Sequence, residues 1–348
     1  MELHRLPNWN VIGFQNDEAR MTNDKTISKW ARHVRILLVL FTIIPASLFC
    51  SITGHRQTEL SGYKAVRIHY GPLNKMIMPV RINGQPANLL VDTGANQVIL
   101  NTNAAESFGV SPSQRAEALP RPTVQGFSYI RFTQINGQQL PVGFAQNLSA
   151  GSMSFGSLLV TLRNPSYSDV GNTHIDGVLG LDILSRYKAV INCRTRLIFF
   201  KVDRTRQMHL SSVALPEKFT RIPLRREENG ALTVSCSVGR QPARLLVDTG
   251  AFITTFDEAF LRPLGVPLEA TRVSAHFARG TARKISAGKI NNLQIGQFKI
   301  PPAKFGVTAL PNFALQQAST RISGILGIDT LYNYHAIIDL DGMNLFLK

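Results

Sequence analysis

The stretch LLVDTGA occurs twice in the chain, as Leu89–Ala95 and again as Leu245–Ala251. The two copies are identical over seven residues and begin 156 positions apart. Identity of this length within one chain indicates a duplication, and internal repeats are weighed before other patterns when a fold is predicted. Each copy brings one carboxylate, Asp92 or Asp248, to the end of an apolar run, where a glycine permits a tight turn. We therefore expect two related lobes whose aspartates belong together.

The residues around each copy are repeated as well. Before it, MPVRINGQPAN aligns with LTVSCSVGRQPAR, and we interpret Gly84–Ala87 and the one-residue-longer Gly239–Ala243 as corresponding turns. After it, DGVLGLDILSRYKAVINC aligns with SGILGIDTLYNYHAIIDL. Two long copies indicate paired lobes rather than a solenoid, which needs three or more short repeats.

Short β-type runs separated by turn residues predominate after residue 60. Period-two alternation, frequent valine and isoleucine, and breaks at glycine, proline and asparagine are typical of strands. Helical patterns are scarce, the clearest being Asn101–Val110 and Phe256–Val266, and each of them ends near a glycine. The pattern predicts an all-β, bilobal fold with few short helices.

The length and the charge of the chain limit the classes of protein to consider. The chain has 348 residues, enough for two lobes that each bury a core. Its net charge is +16, with a pI near 10.2. The basic residues are scattered, however, and no nucleic-acid-binding motif accompanies them. We therefore expect a basic surface rather than specific nucleic-acid binding.

The three cysteines, Cys50, Cys193 and Cys236, have neither the spacing of a metal site nor that of a disulfide framework. We interpret Cys193 and Cys236 as two buried free thiols, with a disulfide between them as the open alternative. The sequence accordingly predicts neither a metal site nor a cofactor.

An uncharged run of 17 residues, Ile36–Ile52, follows a basic stretch near the end of residues 1–35. Its length lies between that of a signal-peptide core and that of a full membrane span, so its removal and its retention as a membrane anchor both stay open. Basic residues before an apolar run favour keeping that end in the cytoplasm and exporting the rest. We expect an exported, periplasmic or otherwise extracytoplasmic protein, whether translation starts at Met1 or at Met21.

The repeated aspartates predict a specific chemistry. Two carboxylates within hydrogen-bond reach share one proton, because both do not ionise easily side by side. The ionised member can take a proton from water while the protonated member donates to a carbonyl oxygen, which hydrolyses an amide without metal or covalent intermediate. Asp92 and Asp248 are the predicted catalytic pair. We expect their neighbours to brace the pair, with both threonine hydroxyls reaching the opposite loop: Thr93, Gly94, Thr249 and Gly250.

The Asp-Thr-Gly-Ala sequences, each followed by Leu-Gly-x-Asp-x-Leu, resemble those of the pepsin and retropepsin clan of aspartic proteases. The resemblance covers residues 63–348 and is especially strong to retroviral, retrotransposon and bacterial relatives. It implies the bilobal aspartic-protease fold, with Gly180 and Gly327 in strands that pass behind the catalytic turns. Retropepsins assemble the pair from two chains and pepsins from one, so this chain is expected to be monomeric. Asp182 and Asp329 are expected to hold a turn rather than to react.

A hairpin in each lobe is a candidate flap over the cleft. Ser128–Gln146 has the pattern of two strands around an Asn-Gly turn, with Tyr129 and Gly137 as the candidate flap residues. In the second lobe the candidate is Gly280. Ordinary hairpin residues would have the same sequence, so both interpretations stay open.

The expected activity is that of an aspartic endopeptidase that cuts extended segments of an exported or envelope protein, at a mildly acidic to neutral pH. The alternative is a peptide-binding module that keeps the cleft without catalysis; the intact Asp-Thr-Gly in both copies favours the enzyme. The membrane is a further partner if the apolar run is retained. The predicted organisation is as follows: N-terminal basic segment 1–35, signal peptide or anchor 36–52, first lobe 60–202, connection 203–216 and second lobe 217–348.

Overall fold

Strands predominate in the computed structural model, which describes residues 61–112, 132–135, 138–163, 169–170, 173–276, 282–315 and 321–348. The predicted segments 1–35 and 36–52 lie outside these residues. Among the helices that are described, none is long and apolar enough to cross a membrane. The prediction of an all-β chain with few short helices is confirmed.

The strands of the first half tend to alternate buried and exposed side chains. In β3 (Met76–Ile82), for example, the last three residues are buried, exposed and buried. The strands of this half are β1 (Tyr63–Arg67), β2 (His69–Tyr70), β3 (Met76–Ile82), β4 (Gln85–Val91), β5 (Ile99–Leu100), β6 (Phe132–Ile135), β7 (Gln138–Ala150), β8 (Met153–Leu162), β9 (Asp169–Val170), β10 (Thr173–His174), β11 (Gly177–Leu179), β12 (Val190–Asn192) and β13 (Leu197–Lys201).

The second half repeats this series with a few differences in length. Its strands are β14 (Thr220–Pro223), β15 (Arg225–Arg226), β16 (Leu232–Val238), β17 (Gln241–Val247), β18 (Thr255–Asp257), β19 (Leu268–His276), β20 (Ala282–Ile290), β21 (Leu293–Ile295), β22 (Phe298–Ile300), β23 (Ala303–Thr308), β24 (Gly324–Leu326), β25 (Ile337–Asp339) and β26 (Asn344–Leu347).

The helices in the described ranges are one to two turns long. They are α1 (Thr102–Ser107), α2 (Leu181–Arg186), α3 (Leu210–Ala214), α4 (Glu258–Leu261), α5 (Asn312–Leu315) and α6 (Ile328–Asn333), with 3₁₀ turns at Pro72–Asn74 and Arg262–Leu264. Helix α1 begins where predicted because the Asn101 side chain accepts a hydrogen bond from the Asn103 amide, 3.1 Å away, and so caps its first turn. Helix α3 lies inside the connection predicted at 203–216, and the division into lobes at 60–202 and 217–348 stays a prediction.

Two sheets are each built from one half of the chain. The first has the order β2-β3-β4-β11-β5-β8-β7-β6, and the second has the order β19-β20-β23-β18-β24-β17-β16-β21-β22, with β15 beside β16. In both sheets the aspartate-bearing strand pairs in parallel with the strand of the downstream glycine motif, β4 with β11 and β17 with β24. The repeated sequence therefore folds into a repeated topology.

A third sheet takes strands from both halves. Its order is β1-β13-β12-β25-β26-β14, so each half supplies three strands in mirrored order. At its centre, Ile191 of β12 pairs with Ile338 of β25, its equivalent in the repeat. A pseudo-twofold axis therefore passes through this pair of isoleucines. The apolar residues of this sheet and of both halves form one continuous core, in which Phe200 and Leu345 are fully buried.

The hairpin before each catalytic turn differs from the sequence interpretation. Asn83 and Gly84, with φ of 51° and 86°, form a two-residue turn whose handedness matches the twist of the flanking strands. The interpretation of Gly84–Ala87 as the turn is wrong, because β4 already begins at Gln85. In the second half Val238 pairs directly with Gln241, so that hairpin is not one residue longer.

Candidate active site

The two aspartates lie at the carboxyl ends of β4 and β17, where each strand leaves its sheet. The Asp92 amide donates a hydrogen bond to the Leu179 carbonyl at 3.1 Å, and the Asp248 amide donates to the Leu326 carbonyl at the same distance. The parallel neighbour thus fixes the backbone of each aspartate on the side of the glycine motif. Both aspartates are partly exposed.

The two carboxyls are brought together across the pseudo-twofold axis. A methyl group built at Gly94 would lie 2.6 Å from Cγ of Asp248, and one at Gly250 would lie 2.4 Å from Cγ of Asp92. Real Cβ atoms do not approach carbon this closely, so only glycine fits at either position. The reason differs from the one inferred from sequence. Neither glycine has a positive φ, and the site requires the absence of a side chain rather than an unusual backbone.

Backbone amides orient both carboxylates. Oδ1 of Asp92 accepts a hydrogen bond from the Gly94 amide at 2.7 Å. Oδ1 of Asp248 accepts one from Gly250 at 2.8 Å and a second from Ala251 at 3.0 Å. Hydrogen bonds to the charged form favour that form, so the environment of Asp248 is the better suited to a carboxylate.

Thr93 and Thr249 join the two loops through a symmetric set of hydrogen bonds. Each hydroxyl accepts from the opposite threonine amide, at 3.1 Å and 3.0 Å. Each hydroxyl also donates to a carbonyl of the opposite strand, Thr93 to Val247 and Thr249 to Val91, both at 2.8 Å. Both threonines are fully buried. The bracing predicted from sequence is present, and four hydrogen bonds between the halves hold the aspartates in register.

The pKa values of the pair follow from burial and from mutual contact. Burial raises the pKa of the Asp92 carboxyl well above its usual range, and the charge of Asp248 and a hydrogen bond to it raise it further. Burial also raises the pKa of Asp248, although the hydrogen bonds that it accepts from Asp92, Ala251 and Gly250 oppose this. Two acids in such contact do not both ionise easily, which favours a form in which one proton is held between them.

The glycines of the downstream motifs lie behind the aspartate turns, but not in a strand as the resemblance implied: Gly180 follows β11 and precedes α2, and Gly327 follows β24 and precedes α6. A Cβ at Gly180 would lie 2.5 Å from the carbonyl oxygen of Gln97, and one at Gly327 would lie 2.7 Å from the carbonyl carbon of Ile253. Both clashes are with backbone, which has no rotamer to change. Any side chain at these positions would push the aspartate loop forward.

Asp182 and Asp329 hold those loops in place. Oδ2 of Asp182 accepts from the Val98 amide at 3.0 Å. Oδ1 of Asp329 accepts from both the amide and the hydroxyl of Thr254, at 2.8 Å and 2.7 Å. Burial raises the pKa of both carboxyls against these hydrogen bonds. Their oxygens are occupied by the loop that each one supports, which agrees with the turn-holding role expected for them.

Each half places a small apolar cluster, separate from the main core, against the alanine that follows its Asp-Thr-Gly. Ala95 packs on the first cluster and Ala251 on the second. The members are Ile77, Leu90, Ile99, Ile175 and Val178 in the first half, and Ala231, Leu246, Leu310, Leu315, Ile322 and Ile325 in the second. Buried apolar side chains therefore lie on both sides of the polar pair.

The remaining sequence predictions have different outcomes. Cys193 and Cys236 are free and buried, and burial raises the pKa of each thiol to about 12, so the preferred interpretation of two inert thiols is confirmed. The flap candidates Tyr129, Gly137 and Gly280 lie outside the described residues. Strands β6 and β7 do pair on either side of the predicted Asn-Gly turn.

One residue near the pair was missed by the sequence analysis. Lys75 immediately precedes β3. Burial lowers the pKa of its ammonium group, and the charge of Asp92 opposes this. The Asn83-Gly84 sequence could have predicted this position. A two-residue turn fixes the register of a hairpin, so counting outward from it gives the residue that lies opposite each strand residue.

Comparison with known proteins agrees with this geometry. The family model described as aspartyl protease matches residues 78–183 and 234–330, which together make up more than half of the chain. Both matched ranges contain one Asp-Thr-Gly and the glycine motif that follows it.

Two curated proteins are similar to parts of this chain. The UBA domain-containing protein Mud1 of Schizosaccharomyces pombe is 24% identical over 151 residues, 42% of this chain and 39% of that protein. DNA damage-inducible protein 1 of Cryptococcus neoformans is 24% identical over 155 residues, 44% of this chain and 31% of that protein. The chain thus spans well under half the length of these relatives. Among solved structures, the aspartic proteinase from Irpex lacteus superposes with a TM-score of 0.46 at 12% identity, over 82% of this chain and 96% of that one.

Proposed function

Because this chain belongs to the aspartyl protease family, we propose that it is an aspartic endopeptidase in which Asp92 and Asp248 share one proton and activate a water. The observation that carries the proposal is the contact of the two carboxyls across a symmetric brace, where each glycine leaves room for the opposite carboxyl and nothing more. A fold that only bound peptides would have no need for so close an approach of two acids.

The proposed reaction follows from the hydrogen bonds of the pair. Asp248, whose carboxylate accepts two backbone amides, takes a proton from the water. The oxygen of that water attacks the carbonyl carbon of the substrate, and Asp92 gives its proton to the carbonyl oxygen. Asp248 then gives its proton to the amide nitrogen, and the carbon–nitrogen bond breaks. A hydroxyl of the tetrahedral intermediate returns its proton to Asp92 as the new carboxyl group forms, which restores the starting protonation of the pair. The pair loses its base at low pH and its acid at high pH, so the rate has a bell-shaped pH dependence.

The proposed substrate is a protein segment in extended conformation. The apolar clusters beside Ala95 and Ala251 support a preference for apolar side chains next to the cleaved bond. We include an extracytoplasmic location in the proposal, supported by the uncharged run Ile36–Ile52 and the basic residues before it. Attachment to a membrane through that run is part of the same proposal.

The test is cleavage of exported and envelope proteins by the full-length protein, with new termini identified by mass spectrometry. We expect Asp92→Asn and Asp248→Asn each to abolish cleavage, because either change removes the shared proton or its acceptor. Asp203→Asn is the matched control, since Asp203 is an exposed surface carboxylate that bonds Thr205. Cleavage that survives in both single variants would refute the shared pair. Binding of unfolded protein without any cleavage by the wild type would favour the peptide-binding alternative.

A further inference from the structure

The register of the β3–β4 hairpin places a cation opposite one catalytic aspartate. The ladder pairs Ile82 with Gln85 next to the turn and Ile77 with Leu90 at its far end. Continued by two residues, the same register brings Lys75 opposite Asp92. Directly opposed residues of an antiparallel pair lie about 4.5–5.5 Å apart at their Cα or Cβ atoms, within easy reach of a long side chain.

The second half has no such cation. Its hairpin pairs Val238 with Gln241 and Thr233 with Leu246, so the same continuation places Ala231 opposite Asp248. Ala231 is buried in the apolar cluster of that half. The two halves therefore have the same backbone arrangement at this position but different charges, with a lysine opposite Asp92 and an alanine opposite Asp248.

The backbone before β3 holds Lys75 in a defined position. The Gly71 amide donates to the Lys75 carbonyl at 2.9 Å, which closes a short loop. Within the loop, Leu73 and Asn74 have φ of 59° and 56°, a left-handed conformation that is unfavourable for a residue with a side chain. Such conformations persist only where the surroundings impose them, and they cluster at functional sites. Lys75 itself is half-buried.

The other charged groups packed around the pair have partners of their own. Asp182 and Asp329 accept hydrogen bonds from the loops that they support. Glu227, which lies in the loop equivalent to the one before Lys75, is 3.5 Å from Arg225 and 3.6 Å from Arg244. The β3–β4 ladder ends at the pair Ile77–Leu90, and its continued register places the charge of Lys75 opposite Asp92. Burial lowers the pKa of Lys75, and the charge of Asp92 opposes this.

We propose that Lys75 is a positioning residue of the catalytic pair, whose ammonium group favours the singly ionised, active form and extends it to lower pH. The inference rests on the proposed function and names the residue that tunes it. An opposite charge within about 4–6 Å stabilises an ionised carboxyl. A cation beside the pair lowers the pKa at which the pair loses its first proton and the pKa at which it loses its second. Both limbs of the pH profile therefore lie at lower pH than they would without Lys75.

The test compares pH profiles of kcat/KM for the full-length protein and three variants. Lys75→Met removes the charge but keeps the aliphatic stem, and we expect both limbs to move up by about one pH unit. Lys75→Arg keeps the charge and is expected to retain the wild-type limbs. Lys64→Met is the matched control, because Lys64 is an exposed lysine of β1 that bonds the Ser152 carbonyl. Unchanged limbs in Lys75→Met, or an equal shift in Lys64→Met, would overturn the proposal.

A second readout separates this inference from the proposed function. The aspartate side-chain carboxyls of the wild type and of Lys75→Met are titrated by carbon-13 NMR, which needs no cleavage. An upward shift of the coupled titration in Lys75→Met, absent in Lys75→Arg, supports the role of Lys75 even if no substrate is cut. If Lys75→Met does not fold, Lys75→Gln replaces it, and identical titrations in the variant and the wild type refute the role.

Discussion

The absence of a side chain at Gly250 sets how closely the carboxyls of Asp92 and Asp248 approach, and this can be tested with one methyl group. In Gly250→Ala, the new Cβ would start 2.4 Å from Cγ of Asp92. Carbon atoms in contact lie about 3.5–4.0 Å apart. The Asp92 carboxyl must therefore retreat by about 1 Å, which also breaks its hydrogen bond to Asp248.

A displacement of 1 Å at catalytic groups costs about 100-fold in rate, equivalent to roughly 2.7 kcal/mol of barrier. We expect Gly250→Ala to lose at least that much cleavage, and Gly94→Ala a similar amount, since its Cβ would start 2.6 Å from Asp248. The assay is the initial rate of cleavage of an unfolded protein substrate, expressed per folded molecule. The folded fraction is measured by near-ultraviolet circular dichroism.

Gly84→Ala is the matched control for the loss of a glycine. Gly84 has a φ of 86°, so the substitution strains the turn, but no atom lies within 4 Å of the added methyl. It should lower stability by about 1 kcal/mol and leave the rate per folded molecule unchanged. A folded Gly250→Ala protein with a rate within threefold of the wild type would refute the argument that this glycine sets the distance between the carboxyls.

Two further predictions concern stability. Thr249→Val removes the hydroxyl that accepts from the Thr93 amide and donates to the Val91 carbonyl, so the free energy of unfolding measured in urea should fall by about 2 kcal/mol. Thr249→Ser keeps the hydroxyl and should retain most of that free energy. Equal losses of unfolding free energy in both variants would contradict the hydrogen-bond explanation. Asp341 lies 2.7 Å from both Lys188 and Lys201, and hydrogen bonds from these lysines outweigh its burial and hold its pKa below the usual range. A lowered folded-state pKa contributes stability that is present above the unfolded value of about 3.9 and is lost as the pH falls through the folded value. Asp341→Asn should therefore lower the free energy of unfolding by about 3 kcal/mol at pH 7, because it leaves the buried Lys201 ammonium without its carboxylate. The difference in unfolding free energy between the variant and the wild type should shrink below about pH 4. A difference that does not change with pH would show that charge is not the cause.

The arrangement of the site was predictable wherever a residue pattern has one physical solution. The repeated LLVDTGA and the repeated Leu-Gly motif predicted a doubled strand with a glycine behind it, and Gly180 and Gly327 lie there because only a residue without Cβ fits against the opposing backbone. The hydroxyls of Thr93 and Thr249 reach across as expected. The roles of Asp92 and Asp248 in catalysis stay a prediction.

Contacts between residues far apart in sequence and outside the repeat were not predictable in the same way. The Tyr63 hydroxyl donates a hydrogen bond to Asp341 at 3.2 Å, which joins β1 to the turn between β25 and β26. No local sequence pattern indicates that pair. Lys75 was missed for a different reason. Its position follows from the hairpin register, but the turn was assigned two residues too late, and in a hairpin an error in the turn changes every pairing that is counted from it.

The shared sheet has a consequence for when the aspartate pair first forms during synthesis. The brace between Thr93 and Thr249 needs both halves in register, and that register is set where β12 pairs with β25. During synthesis, β12 emerges long before Ile337–Asp339, which must reach it across more than a hundred residues. Pairings of such long range form slowly. A nascent chain that already carries both aspartates therefore lacks the braced pair until β25 has been made and has paired with β12.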